Sequence, residues 1–290
     1  MNLPMKKLLF QLDTDPHASV FDTVVAYDGG ADHVIGQGGV TLDNVGALVD
    51  GTIFTRAPKD KKNTAIFVGG SDMQAGQALF NAVQQRFFAD FRVSVMLDSN
   101  GSNTTAAAAV AKLLTSGPIA GKRAVVLAGT GPVGQRAAVM LARAGAGEVH
   151  ITSRQIARAE QTAHDIKAHF DVDVLPIQAF SSNDRAHAIQ NAEVVLAAGA
   201  TGVELLRSEH WQDNKTLQMI ADANATPPLG IGGVEMMDRG ADRAGKKTWG
   251  AIGFGTLKLA LHRACIARLF ESNHLVLDAE EIFEVAKSMA

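Results

Sequence analysis

A short glycine-rich turn in the middle of the chain constrains the fold more than any other feature of the sequence. An apolar run at residues 124–128 precedes it, and residues 133–144 have helical periodicity. Strand, G-x-G-x-x-G turn and helix together are the fingerprint of a dinucleotide-binding unit, whose pyrophosphate lies at the helix N-terminus. A tight turn without ligand is the alternative. We predict that six residues of the turn contact a dinucleotide: Gly129, Thr130, Gly131, Pro132, Val133 and Gly134.

The end of the next predicted strand, residues 148–152, indicates which dinucleotide binds. The strand runs into Ser153 and Arg154, with no acidic residue at its tip. A carboxylate there would bond the ribose hydroxyls of NAD and repel the 2′-phosphate of NADP, whereas hydroxyls and a guanidinium suit that phosphate. The sequence therefore predicts NADP, held by Ser153 and Arg154 with Arg158 as a weaker ligand. The alternative is that Arg154 is a solvated loop residue.

Two later strand ends are also placed for contact with the cofactor. They carry the loops AAGATG at residues 197–202 and DANATPP at residues 222–228. In open parallel sheets, ligands bind beyond the carboxyl ends of the strands. We therefore predict contacts from Ala198, Gly199 and Asn224, with the first loop along the nicotinamide half. Purely structural turns are the alternative for both loops.

Alternation of strands and helices predicts an α/β fold with parallel sheets. The predicted elements before residue 116 are strands at 8–12, 65–68 and 93–97 and helices at 19–27, 41–49, 72–88 and 104–114, with a charged loop at 59–62. The pattern breaks at SGPIAG, residues 116–121. We predict an N-terminal parallel α/β domain at residues 1–116 and a Rossmann NADP-binding domain at residues 117–255. The helices of residues 256–290 are expected to pack back on the first domain.

The loop after the last strand of the first domain is a candidate substrate site. Residues 98–105, DSNGSNTT, are small and polar, and they lie between an apolar strand and an alanine-rich helix. Such a surface of hydroxyl, amide and backbone groups suits a polar heterocycle. The alternative is that Asn103 or Thr104 merely caps the helix.

Composition and charge argue against several other classes of protein. The net charge is −3 with no strongly basic half, so a nucleic-acid partner is not expected. No apolar run reaches the roughly 18–20 residues that a membrane span needs. Acidic residues directly follow the short apolar run at the N-terminus, which argues against a signal peptide. With Cys265 as the single cysteine and no metal-ligand spacing, we expect no disulfide and no metal, and a cytoplasmic location.

Several segments together resemble a known family, the NADP-dependent methylene-tetrahydromethanopterin dehydrogenase of aerobic methylotrophic bacteria. These segments run from one end of the chain to the other: DTD at 13–15, SVFD at 19–22, YDGGADH at 27–33, MLDSNGSNTTAAA at 96–108, AGTGPVG at 128–134, NATPPLGIGG at 224–233 and LKLALHRACIARLFES at 257–272. Members of this family oxidise the methylene group of a reduced C1-carrying pterin to the methenyl state and pass hydride to NADP. Some also accept methylene-tetrahydrofolate.

The resemblance implies two α/β domains with the active site in the cleft between them, and a homo-oligomer, either trimer or hexamer. It places Phe21, Thr104 and Lys258 on the pterin side, with Lys258 as the catalytic candidate. Weaker candidates for pterin contact are Asp22, Asp98 and Asn100. Gln155 follows Arg154 where the family can have a second basic residue. This departure implies that NAD is accepted as a weaker alternative to NADP.

The expected reaction needs little acid–base chemistry, and the sequence contains no recognisable acid–base dyad. Loss of hydride from a carbon between two nitrogens leaves a delocalised cation, so the main task is to hold the reacting atoms roughly 3–3.5 Å apart. Lys258 is then expected to bind a pterin carbonyl or to position the ring. The alternative functions are a methylene-tetrahydrofolate-only dehydrogenase, a shikimate-type NADP dehydrogenase, for which no lysine–aspartate pair is found, and a non-catalytic NADP-sensing protein.

Overall fold

The computed structural model describes residues 5–290, so the first four residues of the N-terminal segment discussed above lie outside the described residues. The strands are β1 Leu8–Asp13, β2 His33–Gln37, β3 Thr64–Gly69, β4 Ser94–Leu97, β5 Arg123–Leu127, β6 Glu148–Ser153, β7 Leu175–Gln178, β8 Val194–Ala197, β9 Met219–Asp222, β10 Arg239–Arg243, β11 Lys246–Trp249 and β12 Val276–Leu277. The helices are α1 Val20–Asp28, α2 Val45–Phe54, α3 Met73–Gln85, α4 Ser102–Ser116, α5 Pro132–Arg143, α6 Ile156–Phe170, α7 Ser182–Ala188, α8 Ala251–Arg268 and α9 Ala279–Met289. None of these helices is both long and apolar enough to cross a membrane.

The first of two compact units comprises the chain up to Thr104 together with Leu259–Val285. Its sheet has the strand order β12-β4-β3-β1-β2, and every neighbouring pair is parallel. The β3 and β4 strands are buried along their whole length because helices cover such sheets on both faces. The carboxyl ends of β1, β3 and β4 therefore lie side by side at one edge of the sheet, where the chain carries the polar residues Asp13, Ser71 and Asp98.

The second unit comprises Thr105–Lys258 and the last five residues, 286–290. Its sheet has the order β10-β11-β9-β8-β5-β6-β7, parallel except for the antiparallel pair of β10 with β11. The chain order reverses on the two sides of β5, which lies between β8 and β6. Ligands of doubly wound sheets bind at such a switch point. The predicted α/β class, with parallel sheets and a Rossmann arrangement, is confirmed.

Four short strands were not predicted, because none of them has the long, regular apolar pattern that predicts a strand. The β2 and β7 strands lie at sheet edges and expose part of their length, so neither has a continuous apolar run. The β12 strand has only two residues, and β10 pairs with β11 as a polar hairpin. The predicted charged loop at 59–62 is part of a 3₁₀ helix, Pro58–Asn63.

The C-terminal helices begin earlier than the predicted residue 256. Helix α8 begins at Ala251, so Gly253 and Gly255 lie inside it. A Cβ at Gly253 would be 1.7 Å from the carbonyl oxygen of Asp238. The glycine permits close packing of helix against backbone rather than a turn.

Candidate cofactor and substrate sites

The glycine turn is fastened to the neighbouring strand of the second unit. The backbone N–H of Ala128 donates to Thr152 Oγ1 at 3.0 Å, and that of Gly129 donates to the Thr152 carbonyl oxygen at 3.0 Å. Helix α5 follows at once, with Gly131 as its N-cap and Pro132 in its first turn. The free N–H groups of this helix end therefore lie beyond β5, at the switch point, where they suit a phosphate.

The three glycines of the turn differ in what requires them. A Cβ at Gly129 would be 2.7 Å from Ile151 Cβ, and a Cβ at Gly134 would be 2.7 Å from Gly129 Cα. A Cβ at Gly131 would meet only the carbonyl oxygens of Ala128 and Ala198, both at 3.8 Å. Packing of the protein itself thus explains the first and last glycines. The space at Gly131, which a side chain would fill, fits a pyrophosphate approaching the backbone.

A cavity of about 320 Å³ lies beside this turn in the second unit. Its wall consists of Ala128, Thr130, Gly131, Thr152, Ser153, Arg154, Arg158, Ala179, Arg185, Ala200, Val203 and Leu205. Three of these residues are arginines, and none of the described residues in the wall is acidic. The aliphatic side chains suit a purine ring, and the arginines suit a phosphate. The structure thus brings together the predicted residues Thr130, Gly131, Ser153 and Arg154, with the weaker candidate Arg158.

Arg185 was missed by the sequence analysis, because helix α7 was not predicted. The Ser181 hydroxyl accepts from the Asp184 N–H at 3.1 Å, and the Asp184 carboxylate accepts from the Ser181 N–H at 2.8 Å. This capping box matches the S-x-x-D pattern at 181–184, which was the available signal. Burial lowers the pKa of Arg185, and the positive charge of Arg154 lowers it further, whereas Asp184 opposes the shift.

Part of the loop after β8 lies in the wall of the cavity beside the glycine turn. Ala200 and Val203 line the cavity together with Arg154. This part of the loop therefore lies at the predicted 2′-phosphate end, whereas the sequence analysis expected the nicotinamide half. The Ala198 N–H donates to the Leu127 carbonyl at 3.0 Å, which holds the start of the loop beside the end of β5. Cofactor contact by Ala198 and Gly199 stays a prediction.

The loop after β9 is organised around a buried carboxylate. Asp222 accepts hydrogen bonds from the backbone N–H groups of Asn224 at 3.0 Å and Ile231 at 2.8 Å. The Asn224 side chain in turn donates to the Pro228 carbonyl and accepts from the Thr226 N–H. Asn224 is 5% exposed, and its amide shapes the loop. The Asn224 backbone does not have a left-handed conformation. Contact of Asn224 with the cofactor stays a prediction.

Burial raises the pKa of Asp222 to about 6, against an ordinary value of 3.8, although backbone N–H groups lower it in part. The folded protein therefore binds this proton more tightly than the unfolded chain does. Above pH 6 the buried carboxylate is charged and destabilises the fold by the full amount. As the pH falls from 6 towards 3.8, the folded protein binds the proton and this destabilisation disappears. We expect the unfolding free energy of the wild type, relative to Asp222→Asn, to decrease by up to about 3 kcal/mol as the pH rises through this window.

Urea unfolding of both proteins at a series of pH values measures that difference. Asp213→Asn, at an exposed site in the same unit, is the matched control. Its stability is expected to follow the wild type at every pH. Parallel profiles for Asp222→Asn and the wild type would contradict the expectation.

The polar loop after β4 has an internal arrangement that the sequence did not predict. Asp98 is 1% exposed and Thr104 is 0% exposed. The Thr104 hydroxyl donates to Asp98 Oδ2 at 2.6 Å, and the Thr104 N–H donates to Asp98 Oδ1 at 3.0 Å. Helix α4 begins at Ser102, so Asn103 and Thr104 lie within its first turn and do not cap it. Asp98 holds this helix end, and Asn100 is exposed beside it with a left-handed backbone, φ 58°.

Phe21 and Asp22 lie in the first turn of α1, which Ser19 caps by accepting from the Asp22 N–H. Phe21 is 50% exposed. Together with Asp98, Asn100 and Thr104, these residues belong to the first unit, whereas Lys258 belongs to the second by the division of α8. Lys258 is half-buried on that helix.

His262 is a buried residue of the first unit on helix α8. Its ring stacks on Phe67 with centroids 5.4 Å apart, and its Nδ1 lies 4.0 Å from Asp98 Oδ2.

Neither a reactive thiol nor a metal cluster is found among the described residues. Burial raises the pKa of the Cys265 thiol to about 12, so this thiol is not a nucleophile at neutral pH. Within residues 5–290, no group of three His, Cys, Asp or Glu side chains is arranged to hold a metal ion.

Comparison with known proteins matches the two parts of the chain to two family models. Residues 20–100 match the N-terminal domain of methylene-tetrahydromethanopterin dehydrogenase, and residues 111–224 match shikimate/quinate 5-dehydrogenase. The second match covers the nucleotide-binding part.

Two curated relatives from Methylorubrum extorquens align along nearly the whole chain. The bifunctional protein MdtA is 57% identical over 98% of this chain and 99% of its own length. The NAD(P)-dependent methylenetetrahydromethanopterin dehydrogenase is 31% identical, with the same coverage. Among solved structures, the shikimate 5-dehydrogenase of Listeria monocytogenes in complex with shikimate and NAD aligns with a TM-score of 0.56. The alignment covers 98% of this chain and 97% of that chain at 14% identity, so the similarity concerns the fold alone.

Proposed function

The chain belongs to the methylene-tetrahydromethanopterin dehydrogenase family, and on this premise we propose that it transfers a hydride from methylene-tetrahydromethanopterin to NADP, giving the methenyl form. The observation that carries the proposal is the pairing of a full-length relative of that name with a nucleotide site in this chain. The protein is thus an oxidoreductase of one-carbon metabolism. Methylene-tetrahydrofolate is proposed as a second carrier, and the assay below distinguishes the two.

NADP is the proposed acceptor because the cavity beside the glycine turn has three arginines and no described acidic residue in its wall. When bound, NADP supplies the nicotinamide C4 that accepts the hydride. The turn at 129–134 would hold the pyrophosphate, and Ser153, Arg154 and Arg158 would hold the 2′-phosphate. NAD lacks that phosphate, so it would lose the bonds to these residues and bind more weakly than NADP. No described charge in the cavity wall would repel it, so it would still bind.

The substrate residues are proposed on the first unit, at the carboxyl edge of its parallel sheet. Phe21 offers an exposed ring for stacking on a pterin. Asn100 and Asp22 offer polar groups at the same sheet edge, while Asp98 and Thr104 hold the helix end that shapes it. The proposed division of labour is a pterin domain at 1–116 with the 256–290 helices, and an NADP domain at 117–255. A homo-oligomer, trimer or hexamer, is proposed as the assembly.

The reaction requires positioning more than proton transfer. The methylene carbon lies between two nitrogens, and removal of hydride leaves a cation that both nitrogens share. No proton has to be moved at that carbon, so the chain needs no general base there. An ammonium close to the carbon would oppose the developing charge. We therefore assign Lys258 to binding and orienting the pterin ring, and not to proton abstraction.

The purified protein is expected to produce NADPH and methenyl-tetrahydromethanopterin together when mixed with NADP and the methylene pterin. The two products are followed at their separate absorbance bands. Parallel reactions contain methylene-tetrahydrofolate or shikimate as the donor, and NAD as the acceptor. We expect the highest kcat/KM with methylene-tetrahydromethanopterin and NADP. Tight NADP binding without turnover of any donor would instead favour a nucleotide-sensing protein.

A further inference from the structure

We propose that Arg185 is a specificity-determining and positioning residue. It binds the 2′-phosphate of NADP together with Arg154 and Arg158, and it ties that phosphate to the loop between β8 and β9. The inference rests on the nucleotide-binding half of the proposed function and is independent of the pterin. It adds Arg185 of helix α7 to Arg154 and Arg158, which both follow β6.

The charges that line the cavity favour an anionic ligand. Arg154, Arg158 and Arg185 line one cavity, and no described acidic residue shares its wall. Burial lowers the pKa of Arg185, the carboxylate of Asp184 opposes that shift, and the positive charge of Arg154 adds to it, so the two guanidinium groups act on each other within one cavity. Like charges that converge in a partly buried pocket destabilise each other unless an anion joins them. A phosphate with two negative charges is the anion that such a cluster accommodates.

The Arg185 guanidinium is already fixed in place by the protein. Its Nη1 donates to the Leu205 carbonyl at 3.0 Å, and its Nη2 donates to the Phe180 carbonyl at 3.0 Å. A guanidinium has five N–H donors, so these two bonds use part of the fork and leave donors for a phosphate. A side chain that is held before binding loses little conformational entropy when the ligand arrives.

Arg185 is hydrogen-bonded to the loop between β8 and β9 through the Leu205 carbonyl. Leu205 lines the cavity, and its carbonyl also accepts from the Ser182 hydroxyl at 3.3 Å. The Leu205 N–H donates to the Gly230 carbonyl at 2.8 Å, and Gly230 belongs to the loop that Asp222 organises. A phosphate on Arg185 therefore fixes a residue that connects the loops after β8 and β9. NAD, without the 2′-phosphate, would leave this connection unchanged.

Two small probes that differ only by the 2′-phosphate test the binding role. Adenosine 2′,5′-bisphosphate and adenosine 5′-monophosphate are titrated calorimetrically into the wild type, Arg185→Met, Arg185→Lys and Arg154→Met. We expect Arg185→Met to weaken bisphosphate binding at least about tenfold and to change monophosphate binding less than about twofold. Arg154→Met is expected to do the same.

Arg143→Met is the matched control in the same unit. Arg143 Nη2 also donates to a backbone carbonyl, that of Phe170, but Arg143 does not line the cavity. Its bisphosphate affinity is expected to equal that of the wild type. An unchanged ratio of bisphosphate to monophosphate affinity in Arg185→Met overturns the binding role. If that variant does not fold, the same ratio in Arg185→Lys decides, because a single ammonium replaces the fork and a loss of about threefold or more is expected.

Amide hydrogen exchange of residues 199–206 tests the positioning role. In the wild type we expect the bisphosphate to slow exchange in this loop and the monophosphate to leave it nearly unchanged. In Arg185→Lys, at saturating bisphosphate, the slowing is expected to be lost. Equal slowing in both proteins would overturn the tie to the loop. A wild type that binds the bisphosphate preferentially but oxidises no pterin would refute the proposed function and leave this inference standing.

Discussion

Replacing Gly131 with alanine is expected to weaken NADP binding at least about tenfold, or about 1.4 kcal/mol, while the fold remains intact. The backbone of Gly131, φ −81° and ψ 169°, is one that alanine adopts without strain. A Cβ there would lie no closer than 3.8 Å to any atom of the protein outside its chain neighbours. The methyl group would instead fill the space in which a pyrophosphate approaches the turn. Calorimetric titration with NADP and a thermal melt measure both effects.

Gly134→Ala is the matched comparison, since it has the opposite expected outcome. A Cβ at this position would lie 2.7 Å from Gly129 Cα and 3.0 Å from the Gly129 carbonyl oxygen. Both are backbone atoms, so helix α5 has to move away from β5. Such overpacking costs about 1–3 kcal/mol, which lowers the Tm by several degrees. If Gly131→Ala binds NADP as the wild type does, the turn does not face the phosphates.

The sequence predicted the nucleotide fingerprint because its determinants are local. The strand, the three glycines and the helix occupy about twenty consecutive residues, and each element has its own pattern. The same holds for helix α1, predicted at residues 19–27 and found at Val20–Asp28 with Ser19 as its N-cap. Family membership was also predictable, because motifs from one end of the chain to the other resemble one family.

Contacts between distant segments were not predictable in the same way. Arg185 lines the cavity because α7 packs where its side chain reaches the Leu205 carbonyl, twenty residues further along the chain. The pattern of residues 181–188 specifies a capped helix but not what that helix faces. Similarly, the sequence placed Asp98 and Thr104 in one polar loop, yet it did not predict that they bond each other and are buried. The start of α8 at Ala251, before the predicted residue 256, was not predictable either, because glycine is a poor helix former and Gly253 is required by packing against the Asp238 backbone.

Lys258→Met is expected to slow hydride transfer about 100-fold without changing the affinity for NADP. Methionine keeps the apolar stem of the side chain and removes the ammonium. If the ammonium orients the pterin, its loss lets the ring shift relative to the acceptor. A displacement of about 1 Å costs about two orders of magnitude in such a reaction. Single-turnover kinetics report the transfer step, and calorimetric titration reports the binding of NADP.

Lys112→Met provides the matched control, since Lys112 is also a half-buried lysine on a helix of the second unit. The Lys112 ammonium lies 5.6 Å from the centroid of the Trp249 ring. Lys112→Met is expected to leave the rate of the transfer step unchanged.

The direction of the rate change in Lys258→Met distinguishes the roles that the ammonium could have. An unchanged rate would remove Lys258 from the site. A faster rate would mean that the ammonium lies near the reacting carbon and opposes its developing charge, which contradicts a positioning role. Only a slower transfer with intact NADP binding, restored in part by Lys258→Arg, agrees with a lysine that orients the pterin.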